Sequence, residues 1–303
     1  MQNTNFRQSS LDHQGFVEDK RGDSRLSNEA QEPFLVIKPR VRGFTVDWRA
    51  IWLRRELLYF LVWRDILIRY KQTVLGALWE ILKPLSMMIV LTVFLGYMIG
   101  VPSEGLPYPL FYYSGTLLWT FFSQSLSAAA GSVLTSSNLI TRVYFPRIII
   151  PVGAILSNLF DFVIAFGVLL VLMLYYGRFP SAGVFVLPFV VILVMISTLG
   201  VGLFFAAVIV RYRDFQSVIP LLTMVWMFSS PVMYPVSMIP PKWQFWYFLN
   251  PIASALSVFR WGFFGEISVP WPYLVPGVVV AILLLVAGAA YFQMTERSFA
   301  DWL

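Results

Sequence analysis

The sequence predicts an all-α integral membrane protein. It reads as six transmembrane helices, an N-terminal amphipathic interfacial helix, and two short outer re-entrant or interfacial helices between spans five and six. Three observations predict this. The 303 residues are 58% hydrophobic and only 13% charged, with a mean hydropathy of +0.72, where a soluble domain is roughly a quarter charged. Six apolar runs reach or approach the roughly 20 residues that cross hydrocarbon. Ahead of them, Tyr59–Gly76 has helical periodicity with a wide apolar stripe, which suits a helix lying flat at a bilayer surface.

Met1–Glu32 is polar and poor in large apolar residues. It cannot bury enough surface to order itself, so residues 1–33 are expected to form a disordered cytosolic tail. That stretch has no apolar h-region, and no cleaved signal is expected. Residues 34–83 form a cytosolic and interfacial segment. In it Phe34–Arg40 is a short extended piece ended by Pro39, and Asp47 caps a helix starting near Trp48. Tyr59, Trp63, Ile66, Leu67 and Tyr70 then fall on one helical face, with Arg64, Asp65, Arg69 and Lys71 on the other. The rings belong among lipid headgroups and the charges in the cytosol. Gly76 interrupts the pattern.

Residues 84–303 form the spanning domain. The first span is Leu85–Val101, extended back to Trp79 past Lys83-Pro84. The others are Leu110–Gly131, Ile148–Tyr176, Val184–Val210, about Val218–Val236 and about Tyr273–Gln293. The length of the third and fourth implies tilt or protrusion. Between spans five and six, Pro240-Pro241 opens one short helix to Leu249, and Asn250-Pro251 breaks it before a second, Ile252–Phe264. Neither is long enough to cross. One side of the membrane collects Arg64, Arg69, Lys71, Lys83, Arg142, Arg147, Arg211, Arg213 and Arg297. The other has Arg178, Lys242 and Arg260. The richer side is cytosolic, and six spans put both termini there.

Composition also excludes chemistry. The chain has no Cys, and its one His, His13, lies in the polar tail. Thiolate chemistry, disulfides and His-based metal or catalytic centres are therefore excluded from the fold. No G-x-x-x-x-G-K-[ST] phosphate loop occurs, so any ATP is bound by another chain. The net charge of +6 fits Lys and Arg facing anionic lipid and gives no reason to expect nucleic acid.

Four groups of residues are candidates for function. Tyr112, Thr116, Thr120, Ser123, Ser127 and Gly131 share one face of span two. The stripe suits either a hydrated path for a hydroxyl-rich substrate or small-residue glue between helices. Asp161 sits mid-span with Ser157 and Asn158 a turn away, either a structural residue locked by those two or part of a substrate path or proton relay. Asn138–Arg147 is too apolar for a solvated loop. Leu139, Ile140, Thr141, Arg142, Val143, Tyr144, Phe145, Pro146 and Arg147 read as a docking knob for another protein, or as a loop folded back on the bundle or lipid. Trp243, Trp246 and Tyr247, with Phe259, Trp261, Phe263 and Phe264, make the outer helices the most aromatic region. They are either an interfacial belt or platforms on which pyranose rings stack. Arg211–Asp214 is a tight turn that sets orientation.

Taken in order, Glu56–Ile66, Arg69–Gly76, Asn138–Arg147, Val210–Asp214, Ser230–Pro235 and Asn250-Pro251 resemble the permease subunits of bacterial ABC-type polysaccharide exporters, the O-antigen and capsule export family. The resemblance runs from about Phe34 to Gly265; the last span fits by position only. It implies a homodimer in the inner membrane with two copies of a separate ATPase subunit, which carries ATP and Mg. This chain then binds no cofactor of its own. It implies that Tyr59, Trp63, Arg64, Asp65, Arg69, Tyr70 and Lys71 belong to a cytosolic gate helix. Residues 139–147 would be the ATPase-coupling helix, and the short outer helices a periplasmic gate. The substrate would be a lipid-linked polysaccharide, O-antigen first, with capsule, teichoic acid, another glycolipid or a small drug as alternatives. A membrane-embedded glycosyltransferase or ligase needs clustered acid, base or metal groups, and Asp161 is the only acidic residue well inside a span. A purely structural membrane protein would have no use for an apolar cytosolic knob.

Overall fold

The computed structural model describes residues 54–71, 73, 76, 78–140, 145–265 and 271–299, the side chains of 271–273 excepted. The expectations for residues 1–33, for the extended piece 34–40 and for the cap at Asp47 lie outside these residues. Every regular element described is helical. Five helices are long and apolar enough to cross a membrane.

The first described element, α1 (Arg55–Lys71), carries Glu56 in its first turn and Arg69 and Lys71 in its last, each sign matched to the helix dipole. Next comes α2 (Leu78–Leu91), continued by a π-helical stretch, Thr92–Ile99, that closes on left-handed Gly100. A turn at Glu104-Gly105, both at positive φ, leads to α3 (Tyr108–Thr135), which has a proline in its first turn. One helical turn, α4 (Ser137–Ile140), precedes α5 (Ile149–Tyr175). A 3₁₀ turn, Ala182–Val186, opens α6 (Leu187–Arg211).

The expected fifth span differs. The helix α7 covers only Val218–Phe228, 11 residues or about 16 Å, and it stops at Ser229-Ser230-Pro231. Pro231 has no N–H to continue the ladder. The carbonyls freed there are taken by Arg260, which donates to Pro231 O at 2.6 Å and to Val232 O at 3.3 Å. Arg260 itself is 3% exposed. It does not contribute to the outer charge count as expected; it is an internal clamp.

After α7 come α8 (Pro241–Tyr247), α9 (Pro251–Phe264) and α10 (Trp271–Glu296). Asn250 caps α9 by accepting from Ile252 N at 3.0 Å. The same residue is tied to the end of α7. Trp226 Nε1 donates to its Oδ1 at 2.9 Å, and its Nδ2 donates to Ser229 O and Ser230 Oγ at 3.0 and 2.9 Å. The vertex between α8 and α9 thus sits at the level where α7 ends.

The most buried span is α3, packed against both α5 and α6. A large apolar core joins α3, α5, α6 and α9, and a smaller one gathers Leu61, Val133, Phe145, Ile149 and Phe292. Helices α6 and α10 approach backbone to backbone. A Cβ on Gly288 would stand 1.9 Å from Gly200 O, so only glycine permits this crossing.

Candidate functional site

The site begins where α1 crosses α5. Leu58, Leu61 and Val62 rest on Gly153, whose missing side chain lets α1 sit close. That seating fixes the helix's rotation. Tyr59, Trp63 and Leu67 point outward with Phe60 and Ile68, Tyr59 being 68% exposed; the Tyr59 and Trp63 rings stack with centroids 6.4 Å apart. The outward face is apolar, and its membership differs from the expected one. Ile66 is only partly exposed, and Tyr70 turns inward.

The charged face is corrected too. Arg69 turns toward α5. Its Nη1 pairs with Asp161 Oδ2 and donates to Asn158 Oδ1 at 2.9 Å. Tyr70 donates its hydroxyl to Asp161 Oδ1. Asp161 is 4% exposed, and a buried carboxylate needs a counter-charge; Arg69 supplies it from α1, and Tyr70 adds a hydrogen bond. Burial first, then the charge of Glu80, pushes the Tyr70 phenol above its usual range, so at neutral pH it is a hydrogen donor. Arg64 pairs with its neighbour Asp65 at 2.8 Å, and Lys71 remains exposed.

Ser157 and Asn158 do not lock Asp161. Ser157 Oγ and Asn158 Nδ2 both donate to Ala154 O, one turn back on α5. A carboxylate this deep signals a partner in the sequence, but its position on a helix far along the chain cannot be read from spacing.

The stripe on α3 divides. Tyr112 and Thr116 are buried within the chain. Thr116 Oγ1 donates to Tyr112 O at 2.9 Å, the back-bonding of a packed hydroxyl. Thr120 and Ser123 are partly exposed and Ser127 is exposed. Sequence reasoning missed the neighbouring face. Ser132 and Thr135, with Ser157 of α5 and Arg64, Asp65 and Arg69 of α1, line an open cavity of about 480 Å³.

At the N-terminal end of α5, Ile140 and Phe145 are buried in the smaller core, and Leu139 packs partly against it. Arg147 donates from its backbone N to Glu296 Oε1 at 3.2 Å, donates from Nη1 to Glu296 O, and places its guanidinium 5.6 Å from the Phe299 ring centre. The expectation that Ile140, Phe145 and Arg147 face outward is therefore corrected. They satisfy their own bundle. Thr141, Arg142, Val143 and Tyr144 lie outside the described residues, and Pro146 is partly exposed.

Of the outer aromatics, Trp243 and Trp246 are exposed on α8. Tyr247 turns inward and donates to Tyr234 Oη at 3.4 Å; burial and that bond push its phenol far above its usual range. Phe259 and Phe263 are buried together. The expected aromatic ring is thus two outward tryptophans over an internal cluster.

A multi-pass helical bundle, with an amphipathic helix tied to a buried carboxylate beside an open polar cavity, has the build of a membrane transport subunit. The chain belongs to the ABC-2 type transporter family, whose pattern it matches over residues 56–264. It is 31% identical to the O-antigen export system permease protein RfbA of Myxococcus xanthus, over 84% of this chain and 97% of that one. It is 28% identical to the protein of the same description from Klebsiella pneumoniae, over 82% and 95%. With the polysialic acid transport protein KpsM of Escherichia coli it shares 27% identity over 65% and 77%.

Proposed function

We propose that this chain is the permease subunit of an ATP-driven exporter of a lipid-linked polysaccharide, with O-antigen as the first reading. One observation carries it: nearly the whole length of two O-antigen export permeases aligns with this chain. Polysialic acid and capsule export proteins align less well, which keeps capsule as the second reading. The permease makes and breaks no covalent bond. It supplies a coupling free energy between the state of an ATPase and the state of a path.

The working unit is a homodimer with two ATPase subunits, which hold ATP and Mg. Residues 139–147 form the ATPase contact, with Ile140, Phe145 and Arg147 as anchors and 141–144 as the contacting turn. The support is that these anchors tie the segment to the start of α5 and the end of α10. The gate helix is α1, and α8 and α9 form a re-entrant pair at the outer face. Arg147 joins Glu296, so α5 begins where α10 ends. The chain between Arg211 and Trp271 must then return across the bilayer for α10 to start outside, which makes six passages with α7 as the incomplete one. Both termini are cytosolic on this reading. The outward rings of α1 rest in lipid. Deleting the gene should remove surface polysaccharide and leave its lipid-linked precursor inside the cell. Unchanged surface polysaccharide in the deletion strain contradicts the reading.

A further inference from the structure

Helix α1 touches α5 at two levels. At the first, Leu58, Leu61 and Val62 rest on Gly153. At the second, Arg69 pairs with Asp161 and donates to Asn158, and Tyr70 donates to Asp161. Leu61 to Arg69 is eight residues, as is Gly153 to Asp161, about 12 Å along either helix. Contacts in the same order and at the same interval mean that the two helices run side by side in one sense. Were they at right angles, points about 12 Å out along each would stand about 17 Å apart, beyond the joint reach of a Tyr and an Asp side chain.

The second level is deep. Helix α5 runs from Ile149 to Tyr175, about 40 Å, and Asp161 lies about 18 Å from its start. Hydrocarbon is about 30 Å thick, so Asp161 lies about 8 Å or more inside it. A helix lying in the bilayer surface meets a spanning helix near one end only. The last turn of α1 instead stands beside the middle of α5.

What α1 presents at that depth suits lipid. Tyr59, Trp63 and Leu67 make one exposed row at i, i+4 and i+8. Tyr70 stands edge-on to Phe160, with ring centroids 6.0 Å apart, and Phe160 and Val163 are exposed on α5. The apolar surface of α1 thus runs on into that of a spanning helix. The charges have partners or a way out. Arg69 is paired with Asp161, and Arg64 with Asp65 at 2.8 Å. Exposed Lys71 leans, as helical side chains do, toward the N-terminal and shallower end. Thr73 Oγ1 lies 3.4 and 3.3 Å from Arg69 O and Tyr70 O, a donor for carbonyls that would otherwise end the helix bare in lipid.

We propose that α1 slants into the bilayer beside α5, and that acyl chains of one leaflet cover its outward row. This departs from the flat surface helix expected from the sequence. The corner between α1 and α2, at left-handed Gly76, then lies inside the hydrocarbon. The slant rests on the reading that the rings of α1 meet lipid and adds their depth; it needs nothing of what is exported.

The chain has no Cys, so Tyr59→Cys, Trp63→Cys and Leu67→Cys each take a single nitroxide label. All three side chains face outward, so the substitutions spare the packed core. The full chain is reconstituted in vesicles of phosphatidylethanolamine and phosphatidylglycerol. Collision of each label with oxygen, which concentrates in hydrocarbon, is compared with collision with a water-soluble nickel chelate, and the ratio gives depth. The Tyr59 and Leu67 positions are about 12 Å apart along the helix, so the Leu67 label should sit at least about 5 Å deeper, with the Trp63 label between. A smaller difference describes a flat helix; it overturns the slant and leaves the lipid contact standing. Labels shielded from oxygen and nickel alike are covered by protein, a second copy or another part of the chain, and overturn both.

Discussion

Arg260 places its guanidinium carbon 3.8 Å from the centre of the Phe111 ring while donating to Phe111 O at 3.2 Å. One cation from α9 thereby grips α3 by ring and backbone, and holds the broken end of α7 through Pro231 and Val232. Arg260→Met keeps the volume but strands those carbonyls. It should lower stability by about 3 kcal/mol, read as a lower unfolding temperature in detergent. Arg260→Lys should recover only part, since an ammonium cannot serve the same fork of acceptors. Equal stability of all three proteins would remove Arg260 from this role.

Asn250 joins the end of α7 to the start of α9. Asn250→Ala loses the cap and both bonds to the Ser229-Ser230 turn, a cost of about 1–2 kcal/mol. Export should fall while co-purification with the ATPase is retained, because Asn250 bonds to α7 and α9 and not to the smaller core that holds Ile140 and Phe145. Unaltered export would show that the α8–α9 vertex does not matter to transport.

Residues 139–147 call for separate substitutions. Phe145→Asp puts a charge into the smaller core and should yield misfolded chain, which tests packing only. Tyr144→Asp should leave the chain monodisperse and abolish its co-purification with the ATPase. A complex that survives Tyr144→Asp removes this turn from the interface.

Trp243 and Trp246 are the outward rings of α8, available for stacking on sugar. Replacing both with Ala should reduce export several-fold with assembly intact, since a stacking contact on an aromatic ring is worth about 1 kcal/mol. Tyr247→Ala should instead lower stability, because its ring is packed with Tyr234 and Phe248. Normal export by the double Trp variant would leave only the aromatic-belt reading.

Much of this fold is legible in sequence, and the reasons are local. Apolar run lengths mark the crossing helices, and Pro241 and Asn250-Pro251 mark the starts of α8 and α9. Gly76 marks the end of α1's pattern. What escaped depends on contacts between distant segments. The break in span five is hidden because Val218–Val236 is apolar on average, and it is Arg260 and Asn250, arriving from α9 and its cap, that satisfy the chain at Ser229–Val232. The inner face of α1 is hidden because the helix shows apolar residues outward and turns a charge toward Asp161, the reverse of the soluble pattern. Ser132 and Thr135 escaped because the hydroxyl count favours the neighbouring stripe Tyr112–Gly131, and their cavity exists only where α1 and α5 come alongside.

On the proposed function, this chain moves a polymer only when a separate ATPase drives it. The deciding measurement is translocation of a lipid-linked glycan in proteoliposomes holding the purified chain, with and without the ATPase and with ATP or a non-hydrolysable analogue. Translocation should occur only with the ATPase and hydrolysable ATP together. Translocation by the chain alone, or with the analogue, would contradict that function.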